Sequence, residues 1–475
     1  MDSLRVRMYR QGLGDCFLLT ATTDGVARHM LIDFGLLLGS PDAATRMAAV
    51  ASNIRDTTGG HLDVLAATHE HWDHISGFVQ AQDILATLTV GEVWLAWTED
   101  PDDPDAQKLR AERNRSIRAL AGAADALQAA GSDHAEQLLA VLGFYGEVGL
   151  TGGRTTAAAM QWIQQRTATM RYLGPGQTFA ALGVQVYVLG PPRDRTMIHR
   201  SDPSVAVGEV YTLAGAGEDE GFLTAAEALA DPSDPDAPPG PVPPGRQPFD
   251  AYFRLDPAAA AAYPRIGESY LHPDLDWRRI DTDWLGAADV LALNLDSNTN
   301  NTSLVLAFEV GDGGVLLFPG DAQVGNWLSW QSVTWTTDAG PVTTPDLLAR
   351  TRLYKVGHHG SHNATLREKG LELMTSADLV AMLPVNRAAA AKQKWNMPLP
   401  SLLRRLEEKT KGRILDAELG PPAGRPDALT AGQWQDFLAH TDVADLWVDH
   451  TITWTTAQAR GATVKSNPTV PGSTS

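Results

Sequence analysis

The sequence contains a single cysteine, Cys16, in 475 residues. That excludes an internal disulfide framework and a thiolate metal cluster. Any metal ion must then be held by His, Asp and Glu. Basic residues are also scarce: 38 Lys and Arg against 57 Asp and Glu give a formal net charge of −19. A protein that grips nucleic-acid backbone presents a net basic face, so extended duplex DNA is disfavoured as a partner, although a local basic groove is not excluded. Uninterrupted apolar runs of about 18 residues are missing, so no membrane span is expected. The N-terminal stretch MDSLRVRMYRQGLGDCFLLT has charges where a signal sequence needs an apolar block. These absences point to a soluble, cytoplasmic protein. With 43% hydrophobic and 20% charged residues the chain is ordinary globular material. Its length suits either about three domains or one large α/β unit.

Along the chain, apolar alternation predicts strands over Leu4 to Tyr9, Cys16 to Thr20 and His29 to Asp33, with a hairpin at Asp24-Gly25. A helix is expected from Ala43 to Asp56, stopped by Gly59-Gly60, and a buried strand from Leu62 to Thr68. Val90 to Trp97 reads as a strand, Gln107 to Leu142 as an Ala/Leu-rich helical block, and Ala157 to Arg171 as a further helix. Strand pattern returns over Gln177 to Leu189, Asp289 to Asn294, Ser303 to Val310, Gly314 to Pro319, Leu353 to Val356 and Leu379 to Pro384. A helix is expected from Leu399 to Thr410. The reading divides the chain into a first α/β half (1–78), a strand with a helical insertion (79–172), a strand region (173–213), an acidic Pro/Gly-rich insertion (214–285), a second α/β half (286–465) and a polar tail (466–475).

The densest chemical signal is Thr68-His69-Glu70-His71-Trp72-Asp73-His74, directly after the buried strand. Chain leaving a strand end is irregular, so His69, His71, Asp73 and His74 can converge from different directions. Imidazole and carboxylate are the donors a divalent cation needs where cysteine is unavailable. On this reading His69 and His71 can hold one ion and Asp73 with His74 a second; the alternative is a histidine-rich turn without metal.

At this motif the chain resembles the metallo-β-lactamase-fold hydrolases. Three further matches follow the family's order: Asp33 in LIDFG, which would support the metal histidines; Asp321 after VLLFPG, which would bridge two metals; and His359 in KVGHHGS, with His358 as its neighbour. GLGDCFLL, NNTSLVL and KVGHHGS together resemble one branch, the hydrolase domain of the ComEC DNA-uptake protein. The resemblance implies an αββα sandwich, here elaborated by the helical insertion and the acidic loop. It also implies Zn²⁺ at two sites, and it favours a phosphodiester substrate without transferring DNA itself. One departure stands out. The family supplies another His shortly before the bridging Asp, yet Asp296 to Ser303 contains none, and His134, His199 and His272 are far from that place. That leaves Asn301, Ser303 or water to complete the first shell, and weaker nitrogen ligation opens the site to Mn²⁺.

The expected chemistry is attack on phosphorus or a carbonyl carbon by a metal-activated hydroxide. Asp73 is expected to orient the hydroxide as well as bind metal. His362 is read as a leaving-group acid or substrate contact, with a plain surface histidine as the alternative. Lys355 is read as an anion binder or an ordinary strand-end lysine. Asp15 is assigned to the site or to a turn cap, and Trp327 with Trp330 to helix packing. The substrate expected is a small or short nucleotide-type phosphodiester. A carboxylic ester, lactone or thioester is the alternative, and so is a binding or regulatory protein without turnover.

Overall fold

The computed structural model describes residues 1–129, 134–146, 155–200 and 287–455, together with Leu223, 263–269 and His272. Most of the acidic 214–285 segment and the whole of the 466–475 tail lie outside the described residues.

Two mixed sheets carry the fold. The first runs β16-β17-β1-β2-β3-β4-β5-β6, and the second β15-β14-β13-β10-β9-β8-β7. In the first sheet β1 (Asp2–Tyr9), β2 (Cys16–Thr23) and β3 (Val26–Phe34) form an antiparallel meander. The sheet then continues parallel through β4 (His61–Ala66), β5 (Thr89–Ala96) and β6 (Met170–Leu173). In the second, β7 (Thr178–Ala181), β8 (Val184–Gly190), β9 (Val305–Glu309) and β10 (Val315–Phe318) pair antiparallel. From β10 the pairing turns parallel through β13 (Thr351–Lys355), β14 (Val380–Leu383) and β15 (Ile414–Asp416). A separate hairpin joins β11 (Thr334–Thr337) to β12 (Gly340–Thr343), while β16 (Thr441–Val443) and β17 (Trp447–Trp454) close the first sheet against β1.

Side-chain alternation explains the layering. In β2, Phe17, Leu19 and Ala21 enter a core shared with Leu306, Phe308, Leu316 and Phe318 of the other sheet. Cys16 and Leu18 point the other way, against Met47, Val50 and Ile54 of the helix Ala43–Thr58. Strands covered on both faces read as unbroken apolar runs, as several do here. The second sheet is covered likewise, Leu317 and Tyr354 packing with Trp327, Leu347 and Leu406. The result is an α/β sandwich of two sheets with helices on both outer faces.

Two expected elements differ. The stretch Asp289 to Asn294, read as a strand, belongs to the helix Ala287–Asn301. Its buried Ala288, Leu291, Ala292 and Leu295 repeat at helical spacing against the insertion, a period that a short apolar window conceals. The helix expected over Ala157 to Arg171 stops at Gln164, and Met170–Leu173 instead extends the first sheet on its parallel edge. The insertion itself is helical as expected. Helices Pro104–Ala129 and His134–Gly143 pack Leu120, Ala124, Leu138 and Leu142 onto Leu291 and Leu295.

Candidate metal centre

Parallel strands in an open α/β sheet leave their carboxyl ends as the place where loops converge. Asp33 lies at the end of β3 and the His-rich motif follows β4; Asp321 follows β10 and His358-His359 follow β13. The fold thus brings the ends of both sheets to one place. His69, His71, Asp73, His74, Asp321 and His359 are all buried, none above 3% exposed. One ligand atom each from Asp73, His74, Asp321 and His359 lies within 4.8 Å of the others.

Close backbone packing makes this possible. A Cβ on Gly35 would sit 2.1 Å from the carbonyl carbon of Asp73, and one on Gly14 would sit 2.6 Å from its oxygen. The glycines in GLGD and LIDFG are therefore needed for close approach to the main chain of Asp73. Asp15 N–H donates to that same carbonyl at 3.0 Å. The HHG turn is bent further: His358 and His359 both adopt left-handed φ values, 45° and 52°. Such backbone costs about 1–2 kcal/mol per non-glycine residue. His358 N–H donating to Asp321 Oδ1 at 3.0 Å and His359 Nδ1 bonding the Pro384 carbonyl at 2.6 Å hold it in place.

Asp33 organises the histidines. Its Oδ1 accepts the Thr68 N–H at 2.7 Å, and its Oδ2 accepts the Thr68 hydroxyl at 2.7 Å and faces His74 Nδ1 at 2.8 Å. Because the Thr68 hydroxyl hydrogen goes to Asp33, the Thr68 oxygen is left to accept from His69 Nδ1 at 3.0 Å. Both rings therefore direct Nε2 inward. His69 Nε2 meets His71 Nδ1 at 3.0 Å, and His74 Nε2 lies 3.0 Å from Asp321 Oδ2, off hydrogen-bond geometry. His359 Nε2 is 3.1 Å from Asp73 Oδ2. Donors bonded to one ion at about 2.0–2.2 Å stand roughly 3–3.5 Å apart, so these spacings suit a cation between them. Asp321 has Oδ1 taken up by His358 N–H and by Lys355 Nζ at 3.2 Å, which leaves Oδ2 as its open atom.

The electrostatics are those of crowded acids. Asp15, Asp33, Asp73 and Asp321 are all at most 3% exposed, and Lys355 is the one permanently charged cation that contacts them among the described residues. Burial alone would raise the pKa of Asp73, but His74 and His359 hold it down to about 2. His74 shows the converse: burial lowers its pKa, and the charges of Asp321, Asp73, Asp15 and Asp33 carry it well above the ordinary value. His71, dominated by burial, falls to about 3. The acids thus favour positive charge around His74 and, through Asp73, around His359, whereas burial disfavours it at His69 and His71. Asp73 Oδ1 stays buried with no hydrogen-bond partner among the described residues.

Several expected site residues are used otherwise. Asn301 does not complete a metal shell: its amide donates to the carbonyls of Ile198 and Arg200, and its oxygen accepts from Gln323 and Asn326. Ser303 Oγ accepts the Asp321 main-chain N–H at 3.1 Å, so it seats the acid. Lys355 is not an anion binder, because its amine is enclosed by Asp15, Asp321 and the Gly320 carbonyl. His358 turns Nδ1 to Ser361 Oγ at 3.1 Å, outside the ligand cluster. His362 is exposed.

Three residues escaped the sequence reading or were undervalued by it. Asp15 belongs to the centre through Lys355 and lies 3.8 Å from His74 Nδ1. Asp296 places Oδ1 4.0 Å from His71 Nε2. Burial, and then the charges of Asp73 and Asp321, raise its pKa to about 7. A search of that segment for acids as well as histidines would have found it. Tyr145, in the insertion, reaches His71 Nε2 at 3.2 Å, and no motif signals it.

A cavity of about 940 Å³ lies between the insertion and the helix Ala287–Asn301, lined in part by Arg110, Arg113 and Arg195. None of the six cluster residues lines it, and these three arginines are spent: Arg113 on Glu70 and Glu99, Arg195 on Glu112, Arg110 on main-chain carbonyls. No helix of the described residues is long and apolar enough to cross a membrane. No protein-family model matches the chain, and no curated protein matches it.

Proposed function

We propose that this protein is a metal-dependent hydrolase of the metallo-β-lactamase kind, acting on a small or short nucleotide-type phosphodiester. The observation that carries the reading is Asp73. Its Oδ1 is buried without a hydrogen-bond partner among the described residues, while its Oδ2 faces His359 Nε2 at 3.1 Å within a cluster that includes His74 and Asp321. An orphaned buried carboxylate oxygen beside inward-directed imidazoles suits a divalent cation.

His69 and His71 would hold one ion and Asp73, His74 and His359 the other, with Asp321 Oδ2 as a further donor. Zn²⁺ suits these donors, and Mn²⁺ is the alternative where nitrogen ligation is thin. Bound there, such cations supply Lewis acidity and lower the pKa of water enough to provide a nucleophile at neutral pH. Asp33 fixes the rings of His69 and His74, Lys355 holds Asp321, and Asp73 would orient the attacking water as well as bind metal. The net charge of −19 does not oppose an anionic substrate, since divalent ions make a local positive centre that whole-chain charge does not report.

The test is elemental analysis of purified protein, followed by parallel assays on an activated phosphodiester and an activated carboxylic ester. The expected result is about one to two equivalents of Zn²⁺ or Mn²⁺ and preferential phosphodiester cleavage, both lost in Asp73→Ala and His359→Ala. Retention of metal and activity by both variants would refute the reading.

A further inference from the structure

The helical insertion is bonded to the metal motif at points that the hydrolase reading does not require. Glu70, between the first two motif histidines, pairs with Arg113 of helix Pro104–Ala129 and accepts from Thr156 Oγ1 at 3.1 Å. Trp72 N–H donates to the Phe144 carbonyl at 2.7 Å, and Thr156 N–H to the Tyr145 carbonyl at 3.2 Å. Phe144 stacks on Trp395 with ring centroids 5.4 Å apart and lies 5.3 Å from the ring of His71. The insertion thus grips the motif residues 70 to 72 from one side.

Tyr145 makes the contact with chemical consequence. Its hydroxyl lies 3.2 Å from His71 Nε2, 2.7 Å from Thr299 Oγ1 and 3.2 Å from the Leu295 carbonyl. Thr299 Oγ1 also donates to that carbonyl, at 2.9 Å. A carbonyl only accepts, so Thr299 can send its hydrogen to Leu295 and take the phenol hydrogen from Tyr145. The Tyr145 oxygen is then free to accept from His71 Nε2–H. That choice puts the proton on Nε2 and leaves the lone pair on Nδ1, the atom that faces His69 Nε2 at 3.0 Å. Outer partners of ligating histidines fix tautomer and ring orientation, and losing one typically weakens metal binding 10- to 100-fold.

We propose that Tyr145 is the positioning residue of the His69–His71 half of the centre. It presents His71 Nδ1 as a ligand through the Tyr145–Thr299–Leu295 chain, so the insertion serves metal binding at one half and not the other. This rests on the metal reading above. It goes beyond that reading by predicting asymmetry, because the His74 and His359 rings are set by Asp33 and Pro384 instead.

The experiment is Co²⁺ titration of metal-stripped, full-length protein, followed by calorimetry and by the visible absorption of bound Co²⁺. Wild type is expected to take up two equivalents. In Tyr145→Phe one equivalent keeps its affinity while the other weakens by about 10- to 100-fold, with a changed visible spectrum. Thr299→Val shifts the same equivalent, and Thr299→Ser, which keeps the hydroxyl, restores wild-type binding. Two unchanged equivalents in folded Tyr145→Phe, or equal weakening of both, overturn the proposal. So does a Thr299→Ser protein as impaired as Thr299→Val, which keeps the test decisive should Tyr145→Phe fail to fold. Wild-type protein that takes up no Co²⁺ overturns the metal reading itself and this inference with it.

Discussion

Replacing Asp33 by Asn probes the centre without touching a ligand. The backbone at Asp33 is left-handed, φ 57°, a region that Asn tolerates better than other non-glycine residues, so the substitution adds little strain. Its chemistry changes sharply. Asp33 accepts three hydrogen bonds, from Thr68 N–H, the Thr68 hydroxyl and His74 Nδ1. Asn offers one acceptor oxygen and one donor group. If its NH₂ faces Thr68 N–H, two donors collide. If it faces His74 Nδ1, the imidazole proton moves to Nε2, the atom that points at Asp321 Oδ2. Either orientation leaves one buried mispaired group, costing about 1–3 kcal/mol in the metal-free protein. Only the second also disables a ligand, and loss of such a supporting acid typically lowers metal affinity 10- to 100-fold, about 1.4–2.7 kcal/mol. Competition against a chromophoric chelator measures the affinity, and urea unfolding of metal-free protein measures the stability. A folded Asp33→Asn protein with wild-type affinity and stability would show that the Asp33 hydrogen bonds do not organise this centre.

Three further predictions follow from neighbouring geometry. Lys355→Met removes the cation between Asp15 and Asp321 and leaves two buried carboxylates facing each other, so urea unfolding of metal-free protein should show a loss of about 3–5 kcal/mol; a loss below about 1 kcal/mol would contradict this account. Gly35→Ala drives a Cβ onto the Asp73 carbonyl and should lower metal content per folded protein, whereas Gly424→Ala, with nothing within 4 Å, should not; equal metal content in the two variants would remove the case for close approach. His450 is buried, bonds Thr441 Oγ1 at 3.1 Å, and has its pKa lowered to about 3 by burial. An unfolded histidine takes up a proton below about pH 6.5 and the folded one does not until about pH 3, so stability falls as pH drops through that window. Between pH 7 and 5 this single group contributes about 2 kcal/mol, read as the difference between wild type and His450→Gln in urea unfolding; identical pH slopes would refute it.

Much of the frame was legible because local rules operate there. β1 to β4, the Asp24-Gly25 hairpin, the Gly59 helix stop and the strands β9, β10, β13 and β14 follow from alternation and turn chemistry. The motif His69 to His74 announced itself by density, since such a run of donors after a buried strand has little structural use. The strand misread at Asp289 to Asn294 shows the limit: six apolar-rich residues fit both periods, and packing against the insertion chose the helical one.

Composition alone determined that any metal site must be built from His, Asp and Glu; the spacing of His69 to His74 put one group of donors after a strand, and the family resemblance pointed to Asp33, Asp321 and His359 for the rest. Tertiary structure alone decided what each donor does. Lys355 and Asn301 look available in the sequence, yet burial commits them to Asp321 and to main-chain groups. Tyr145 and Asp296 reach His71 from segments that carry no recognised motif, because polar contacts act over about 3–4 Å in space whatever the distance along the chain. The lone pair of His71 is set by a tyrosine 74 residues away and the ring of His74 by an aspartate 41 residues before it, pairings that only the packed sheets and insertion create.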